Sequence, residues 1–86
     1  MSSSVLDAAL APEGRAALPR VNGELAFDAP WQGRALAMAV LLVERSGRPW
    51  EDFRDRLIAA IADDPERPYW ESWVVALEAL SAACRP

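Results

Sequence analysis

The stretch FDAPWQGRALAMAVLLV, residues 27–43, decides the fold of this chain. Asp28 is suited to the N-cap of a helix, because its carboxylate can accept hydrogen bonds from the free amides of the first turn. Pro30 falls in the first turn, where its missing N–H is not needed. Gly47 then stands just beyond the last helical residue, the usual C′ position. The sequence therefore predicts a helix over Asp28–Ser46.

This helix is apolar on nearly all sides between Ala35 and Val43. Such a helix is normally buried on nearly all sides, and a small chain has little material with which to cover it. The apolar run is too short to span a bilayer, which needs roughly 20 apolar residues. We therefore expect the other helices and a partner protein to cover it together.

Two further helices are predicted, from Pro49 to Asp63 and from Pro68 to Cys84. Each begins at a proline, which suits a first helical position, and each carries an apolar stripe at helical spacing. The prolines of the segment 63–68 cannot continue a helix, so they separate the two. The stripe residues are Trp50, Phe53, Leu57 and Ile61 in the first, and Trp70, Trp73, Leu77, Leu80 and Cys84 in the second.

The 86 residues suffice for one small domain. No strand signal, repeat or low-complexity tract appears, so the expected fold is an all-α, three-helix domain. Residues 27–86 form this helical domain. Residues 1–26 are expected to be a flexible, loosely structured N-terminal arm, in which Ser4 could cap a turn or two and Pro12, Gly14, Pro19 and Gly23 interrupt the rest.

The charge pattern excludes several classes of partner. The net charge is −4, and all nine basic residues are arginines scattered along the chain. Binding to nucleic acid needs a basic face, so no nucleic-acid partner is expected. The N-terminus has no basic region followed by an apolar segment, as a signal peptide would. We therefore expect a cytoplasmic protein with no membrane partner.

The residues needed for most catalytic sites are missing. The chain has no histidine, so neither a Ser-His nor a Cys-His nucleophile can form. The single Cys84 cannot make an internal disulfide, and without histidines it does not suggest a zinc site. The glycines are isolated and form no phosphate-binding loop. The sequence therefore predicts no catalytic residues, no metal ligands and no cofactor of its own, and the chain is not expected to be an enzyme by itself.

Six of the seven aromatic side chains lie in or beside the predicted helices. They could form the core of the domain, or some could anchor a partner, because tryptophan and tyrosine are favoured in interfaces. Arg54, next to Phe53, borders the apolar stripe and could either reach solvent or contact an anion across an interface. If the apolar surplus is exposed, self-association of the isolated chain is expected. The six are Trp31, Trp50, Phe53, Tyr69, Trp70 and Trp73.

Three blocks of this sequence resemble the nitrile hydratase accessory (activator) proteins. They are FDAPW at residues 27–31, GRPWEDFR at 47–54 and PYWESWVVALEAL at 68–80. These accessory proteins are similar to the N-terminal helical part of the β subunits of nitrile hydratase and thiocyanate hydrolase. The resemblance covers roughly residues 24–82, and the three blocks occur in the expected order and spacing.

The resemblance implies a partner and a set of contact residues. The partner would be a nitrile hydratase-type α subunit, whose cysteine cluster holds iron or cobalt. Arg54 matches the arginine that contacts the oxidised cysteines of that cluster, and Tyr69 matches a tyrosine in the nearby polar network. Both types of side chain suit oxyanions. With the remaining aromatic positions, the expected partner-binding residues are Trp31, Trp50, Arg54, Tyr69, Trp70 and Trp73.

The departures from the family pattern point to an accessory function. The sequence lacks the C-terminal β-barrel domain of a full β subunit and the cysteine cluster of an α subunit, and Pro49 and Trp73 replace the usual residues at two positions. We therefore expect an accessory protein that assists maturation of the metal centre of the α subunit. The alternatives are an integral small subunit, corresponding to the N-terminal half of a split β subunit, and a generic three-helix interaction module such as a helix-turn-helix DNA binder.

Overall fold

The computed structural model describes residues 4–10, 18–21 and 24–84 of the chain. In chain order these form α1 (Ser4–Ala9), β1 (Arg20–Val21), β2 (Glu24–Leu25), α2 (Pro30–Ser46), α3 (Trp50–Asp63) and α4 (Tyr69–Ala83). The predicted small all-α domain is confirmed. Helices α3 and α4 each begin one residue later than predicted, because Pro49 and Pro68 are their N-cap residues and not their first helical residues. None of the helices in these ranges is both long and apolar enough to cross a membrane.

Helix α2 begins two residues later than predicted, because Asp28 is not its N-cap. Ala29 occupies that position, and no side chain before the helix caps it. Instead the Oε1 atom of Gln32 accepts hydrogen bonds from the backbone N–H groups of Asp28 (2.6 Å) and Ala29 (3.4 Å). The entry of the helix is therefore fixed by a side chain inside its first turn, as in one half of a capping box.

The predicted end of α2 at Gly47 is confirmed. Gly47 has φ 73°, in the left-handed region that glycine adopts without strain. Its N–H donates to the carbonyl oxygen of Glu44 at 3.3 Å. The chain then turns through Arg48 and Pro49 into α3, so three residues beginning with this glycine separate the two long helices.

Helices α3 and α4 pack against each other and against α2 around one core. Phe53, Leu57, Trp73 and Leu80 are almost completely buried at its centre. Burial of these large side chains supplies most of the stabilisation available to so small a domain. Helix α2 contributes Ala35, Ala39, Val40 and Val43 from one side only. The other helices of the chain therefore cover only one side of α2, and the cover expected from a partner protein stays a prediction.

In the N-terminal arm, α1 confirms the turn or two of helix predicted after Ser4, whereas the two short strands were not predicted. Strands β1 and β2 pair antiparallel, with Arg20 opposite Leu25 and Val21 opposite Glu24. Ala9 and Leu18 are buried in the same core as the long helices. The predicted arm also includes residues 1–3, 11–17 and 22–23, which lie outside the described residues.

Ser72 is the one buried side chain in the described ranges whose polar atom has no hydrogen-bond partner. It lies in the first turns of α4, four residues before the buried Ala76, so both are on one face of the helix. Serine is small enough to be buried on this closely packed face of the helix. Burial leaves its hydroxyl without the hydrogen bonds that it makes in water.

We expect Ser72→Ala to stabilise the protein. Removing the hydroxyl should raise the free energy of unfolding by about 1 kcal/mol, since an unpaired buried polar group costs about 1–3 kcal/mol. Denaturant unfolding measures the change. Ser81→Ala is the matched control, because it changes helix propensity alone at a half-buried position of the same helix. A Ser72→Ala variant no more stable than Ser81→Ala would contradict this account of the hydroxyl.

Candidate interaction site

The aromatic side chains form one connected cluster, with Trp73 at its centre. The ring of Trp73 lies 4.7 Å from Phe53, 5.0 Å from Trp70 and 6.0 Å from Trp50, measured between ring centroids. These distances and the tilted ring planes are those of favourable aromatic pairs. Phe27 extends the cluster to the surface by packing on Trp70 at 5.5 Å. The cluster therefore joins the segment before α2 to both α3 and α4.

A buried hydrogen bond ties this cluster to α2. The indole Nε1 of Trp73 donates to the backbone carbonyl oxygen of Ala35 at 2.9 Å. Both partners are buried, so the indole satisfies its only donor while its ring fills the core. The bond fixes how far α4 is rotated relative to α2, and this rotation positions the surface residues of both helices.

The structure divides the six predicted contact residues into two groups. Trp50, Trp70 and Trp73 are buried in the core of the chain, so in this fold they mainly support the surface. Trp31, Arg54 and Tyr69 remain accessible, with Trp31 40% exposed. For the three buried tryptophans, the core interpretation of the aromatic set is therefore the correct one.

A surface pocket brings Trp31 and Tyr69 together. It has a volume of about 230 Å³ and lies between the beginnings of α2 and α4, beside Pro19 and Ala26 of the arm. Trp70 forms part of its wall, while Trp50 and Arg54 are not among its lining residues. The pocket has an aromatic wall with a polar rim, a composition suited to holding part of a protein partner. The rim consists of Asp28, Gln32 and Glu71.

Tyr69 is half-buried in this pocket, and its environment controls its protonation. Burial raises the pKa of the Tyr69 hydroxyl well above its ordinary value, because the phenolate would be poorly solvated. The ring packs edge-on against Trp70, with centroids 5.2 Å apart. The phenol is neutral at physiological pH, as that of an ordinary tyrosine is, and burial extends this neutral range to higher pH.

Arg54 differs from the other arginines of α3 and its flanking turns. Arg56 pairs with Asp52 within the helix, and Arg67 pairs with Asp63 at 3.3 Å. Arg54 is exposed, one residue after the fully buried Phe53, and forms no ion pair with a described residue. Its guanidinium is therefore available for an anion outside the chain.

Arg48 and Asp52 form a second polar group at the start of α3. Arg48 pairs with Asp52 at 2.5 Å and also donates to the carbonyl oxygen of Ala83 at 3.2 Å. The turn before α3 is thereby tied to the last residues of α4, where a cation is favoured by the helix dipole. The hydrogen bond from Arg48, followed by that from Arg56, lowers the pKa of Asp52.

We expect Asp52→Asn to change the pH dependence of stability. A carboxyl whose pKa is lowered on folding stabilises the native state above its unfolded pKa, and this stabilisation is lost as pH falls through the folded pKa. Wild type should therefore be more stable than Asp52→Asn at neutral pH, and the two should converge below about pH 4. Thermal unfolding of both proteins between neutral pH and about pH 4 measures this difference in stability. Asp55→Asn is the control, because Asp55 is an exposed acid on the same helix. A constant difference at all pH values would exclude this role for Asp52.

Helix α2 carries an exposed apolar surface formed by residues that were not among the predicted contact residues. Met38 is 58% exposed and Leu41 49% exposed, although both belong to the run that was expected to be covered. The available signal was their spacing from Trp31, at seven and ten residues, which places all three on one side of the helix. In the described ranges, no group of three His, Cys, Asp or Glu side chains is arranged to hold a metal ion.

No protein-family model, curated protein or solved structure matches this chain.

Proposed function

We propose that this chain is an accessory protein that binds a nitrile hydratase-type α subunit in the cytoplasm and assists maturation of its metal centre. The observation that carries the proposal is the exposed apolar surface of a chain whose core is already complete. Large hydrophobic side chains that remain exposed beside a packed core are typical of interaction surfaces. They are Phe27, Trp31, Met38, Leu41 and Val75.

The choice of partner rests on the resemblance and on two accessible residues. Arg54 occupies the position that the resemblance assigns to the contact with oxidised cysteines, and Tyr69 the position that it assigns to the nearby polar network. Arg54 is exposed and without an ion pair among the described residues, so binding an anion would break no described ion pair. Tyr69 is a neutral phenol at physiological pH, and a phenol is a type of hydrogen-bonding group that suits an oxyanion. In this proposal the iron or cobalt belongs to the α subunit.

The charges support a protein partner over nucleic acid. Arg48, Arg56 and Arg67 are each paired with aspartates of the chain. Arg34, Arg45 and Arg54 have no ion pair in the described part of the structure, and they are divided between two helices. A duplex-binding surface needs several cations aligned along phosphates. The generic module that binds DNA is therefore less well supported.

Co-expression tests the proposed partner. A tagged chain should co-purify with the α subunit of an iron- or cobalt-type nitrile hydratase, and Trp31→Ala should reduce the yield of complex. Glu66→Ala is the control, because Glu66 is exposed in the turn between α3 and α4. Failure of the folded chain to retain either type of α subunit would refute the proposal. Stoichiometric retention in the purified active enzyme would favour an integral small subunit instead.

A further inference from the structure

One side of α2 is exposed along its whole length. Trp31, Arg34, Met38, Leu41 and Arg45, which we call the α2 outer face, recur every three or four residues and therefore lie on one side of the helix. All five side chains are exposed. Three are apolar, two are cationic and none is acidic, although the chain as a whole has a net charge of −4.

A groove runs beside this face, between α2 and α4. Its volume is about 320 Å³, and Met38, Leu41 and Leu42 line it from α2, opposite Leu77 and Ser81 of α4. Among the described residues that line it, Arg45 is the only charged one. The groove is therefore an apolar channel with a cation at one end, and an occupant must offer apolar side chains along its length.

The two arginines limit what the occupant can be. Arg34 and Arg45 are eleven positions apart, which corresponds to about 16 Å along the helix. Met38 and Leu41 lie between them. Neither arginine forms an ion pair with a described residue. A complementary helix would carry apolar residues at its centre and an acid toward each end, about three turns apart.

A second copy of this chain fits the surface poorly. A two-fold axis between Met38 and Leu41 would bring Arg34 of one copy against Arg45 of the other, because such an interface uses the same patch twice. Both contacts would join like charges, which opposes association. The apolar centre favours burial, but the charge pattern selects an acidic partner over self-association.

We infer that the α2 outer face binds an amphipathic helix of a partner protein, whose acidic side chains pair with Arg34 and Arg45. The inference rests on the proposed function as an interaction protein, but it does not require the partner to be a nitrile hydratase-type α subunit. The occupant inserts an apolar ridge beside Met38 and Leu41, in the helix-in-groove mode of recognition. Its acids fix the position of the helix along the groove.

Two matched synthetic peptides test this inference against the full chain. Both are amphipathic helices of about 18 residues with the same leucine ridge, and they carry either glutamates or lysines at the two positions facing Arg34 and Arg45. The glutamate peptide should bind, and its affinity should fall as salt rises. The lysine peptide should bind at least about tenfold more weakly, since two attractive contacts become repulsive.

Variants of the chain locate the site. Arg34→Gln and Arg45→Gln should each weaken binding of the glutamate peptide about twofold to fivefold, and Met38→Glu should abolish binding of both peptides. Glu66→Gln is the control and should have no effect. Circular dichroism and the thermal midpoint report whether each variant keeps its fold.

Several outcomes would overturn the inference. Absence of binding by the glutamate peptide would refute it, as would equal, salt-independent binding of both peptides. Sedimentation showing a dimer that Met38→Glu dissociates would make a second copy the occupant. If the glutamate peptide binds while the α subunit of nitrile hydratase does not, the inference stands and only the proposed partner is wrong. Binding of the α subunit that is unaffected by Met38→Glu would leave the proposed function intact and refute this site.

Discussion

Replacing Trp73 by alanine should lower the free energy of unfolding by about 3–5 kcal/mol, the range found for large buried aromatic side chains. Only 1% of the Trp73 surface is exposed, and its ring contacts the other aromatic residues of both α3 and α4. The change would also remove the donor to Ala35, leaving α4 without its buried hydrogen bond to α2. Because small domains are only marginally stable, the variant should be largely unfolded at ordinary temperatures.

Two further variants separate the contributions of ring and hydrogen bond. Trp73→Phe keeps an aromatic ring but loses the Nε1 donor. Its free energy of unfolding should therefore lie between that of wild type and that of Trp73→Ala. Trp31→Ala removes the same residue type at an exposed position of α2 and should cost far less. Chemical denaturation compares the three variants. A Trp73→Ala protein that melts within a few degrees of wild type would contradict the central position of Trp73 in the core.

Replacing Arg54 by alanine should weaken binding to the α subunit without weakening the fold. A desolvated, charge-assisted hydrogen bond contributes about 1.5–3 kcal/mol, which corresponds to about a 10- to 150-fold loss of affinity. Lysine keeps the charge but loses the planar pair of donors. The affinity of Arg54→Lys for the α subunit should therefore lie between those of wild type and Arg54→Ala. Because Arg54 is exposed, the unfolding free energy should stay within about 0.5 kcal/mol of wild type.

Arg56→Ala is the matched control for Arg54, because it removes the same charge from the same helix. Arg56 pairs with Asp52, so its loss should affect stability more than affinity. Isothermal titration with the α subunit and denaturant unfolding together separate the two effects. Equal affinities for wild type and Arg54→Ala would show that Arg54 is an ordinary surface residue.

The main helices could be predicted from the sequence because local signals and tertiary packing agree there. Trp50, Phe53 and Leu57 repeat at helical spacing, and all three are buried. Gly47 ends α2 because the left-handed conformation favours glycine. The cap of α2 was not predicted correctly, because Asp28 and Gln32 are both plausible hydrogen-bond acceptors and only the path of the chain decides between them.

The arm was harder to predict because its signals are short. The sequence Asn22-Gly23 between the two strands is a typical hairpin signal, but strands of two residues carry no periodicity to support it. Burial of Ala9 and Leu18 depends on packing against the long helices. No local pattern in residues 1–26 indicates that contact.

The candidate site could be predicted only in part, because core and interface use the same residues at the same spacing. Trp31 and Trp73 are both tryptophans on apolar helices, yet one is exposed and the other is almost completely buried. Only the way in which α2 meets α4 distinguishes them. The same packing leaves Met38 and Leu41 on the outside of α2, so an apolar run that suggests a fully buried helix supplies an exposed face instead.

The metal content of the α subunit tests the proposed function most directly. The α subunit should be expressed in metal-supplemented cells alone, with this chain, and with Arg54→Ala, then purified and analysed for iron and cobalt. We expect clearly higher metal loading of the α subunit with the wild-type chain than without it. Arg54→Ala should give an intermediate value, and enzyme that is already mature should keep its activity after the chain is removed. Equal metal content with and without the chain would contradict the proposed accessory function.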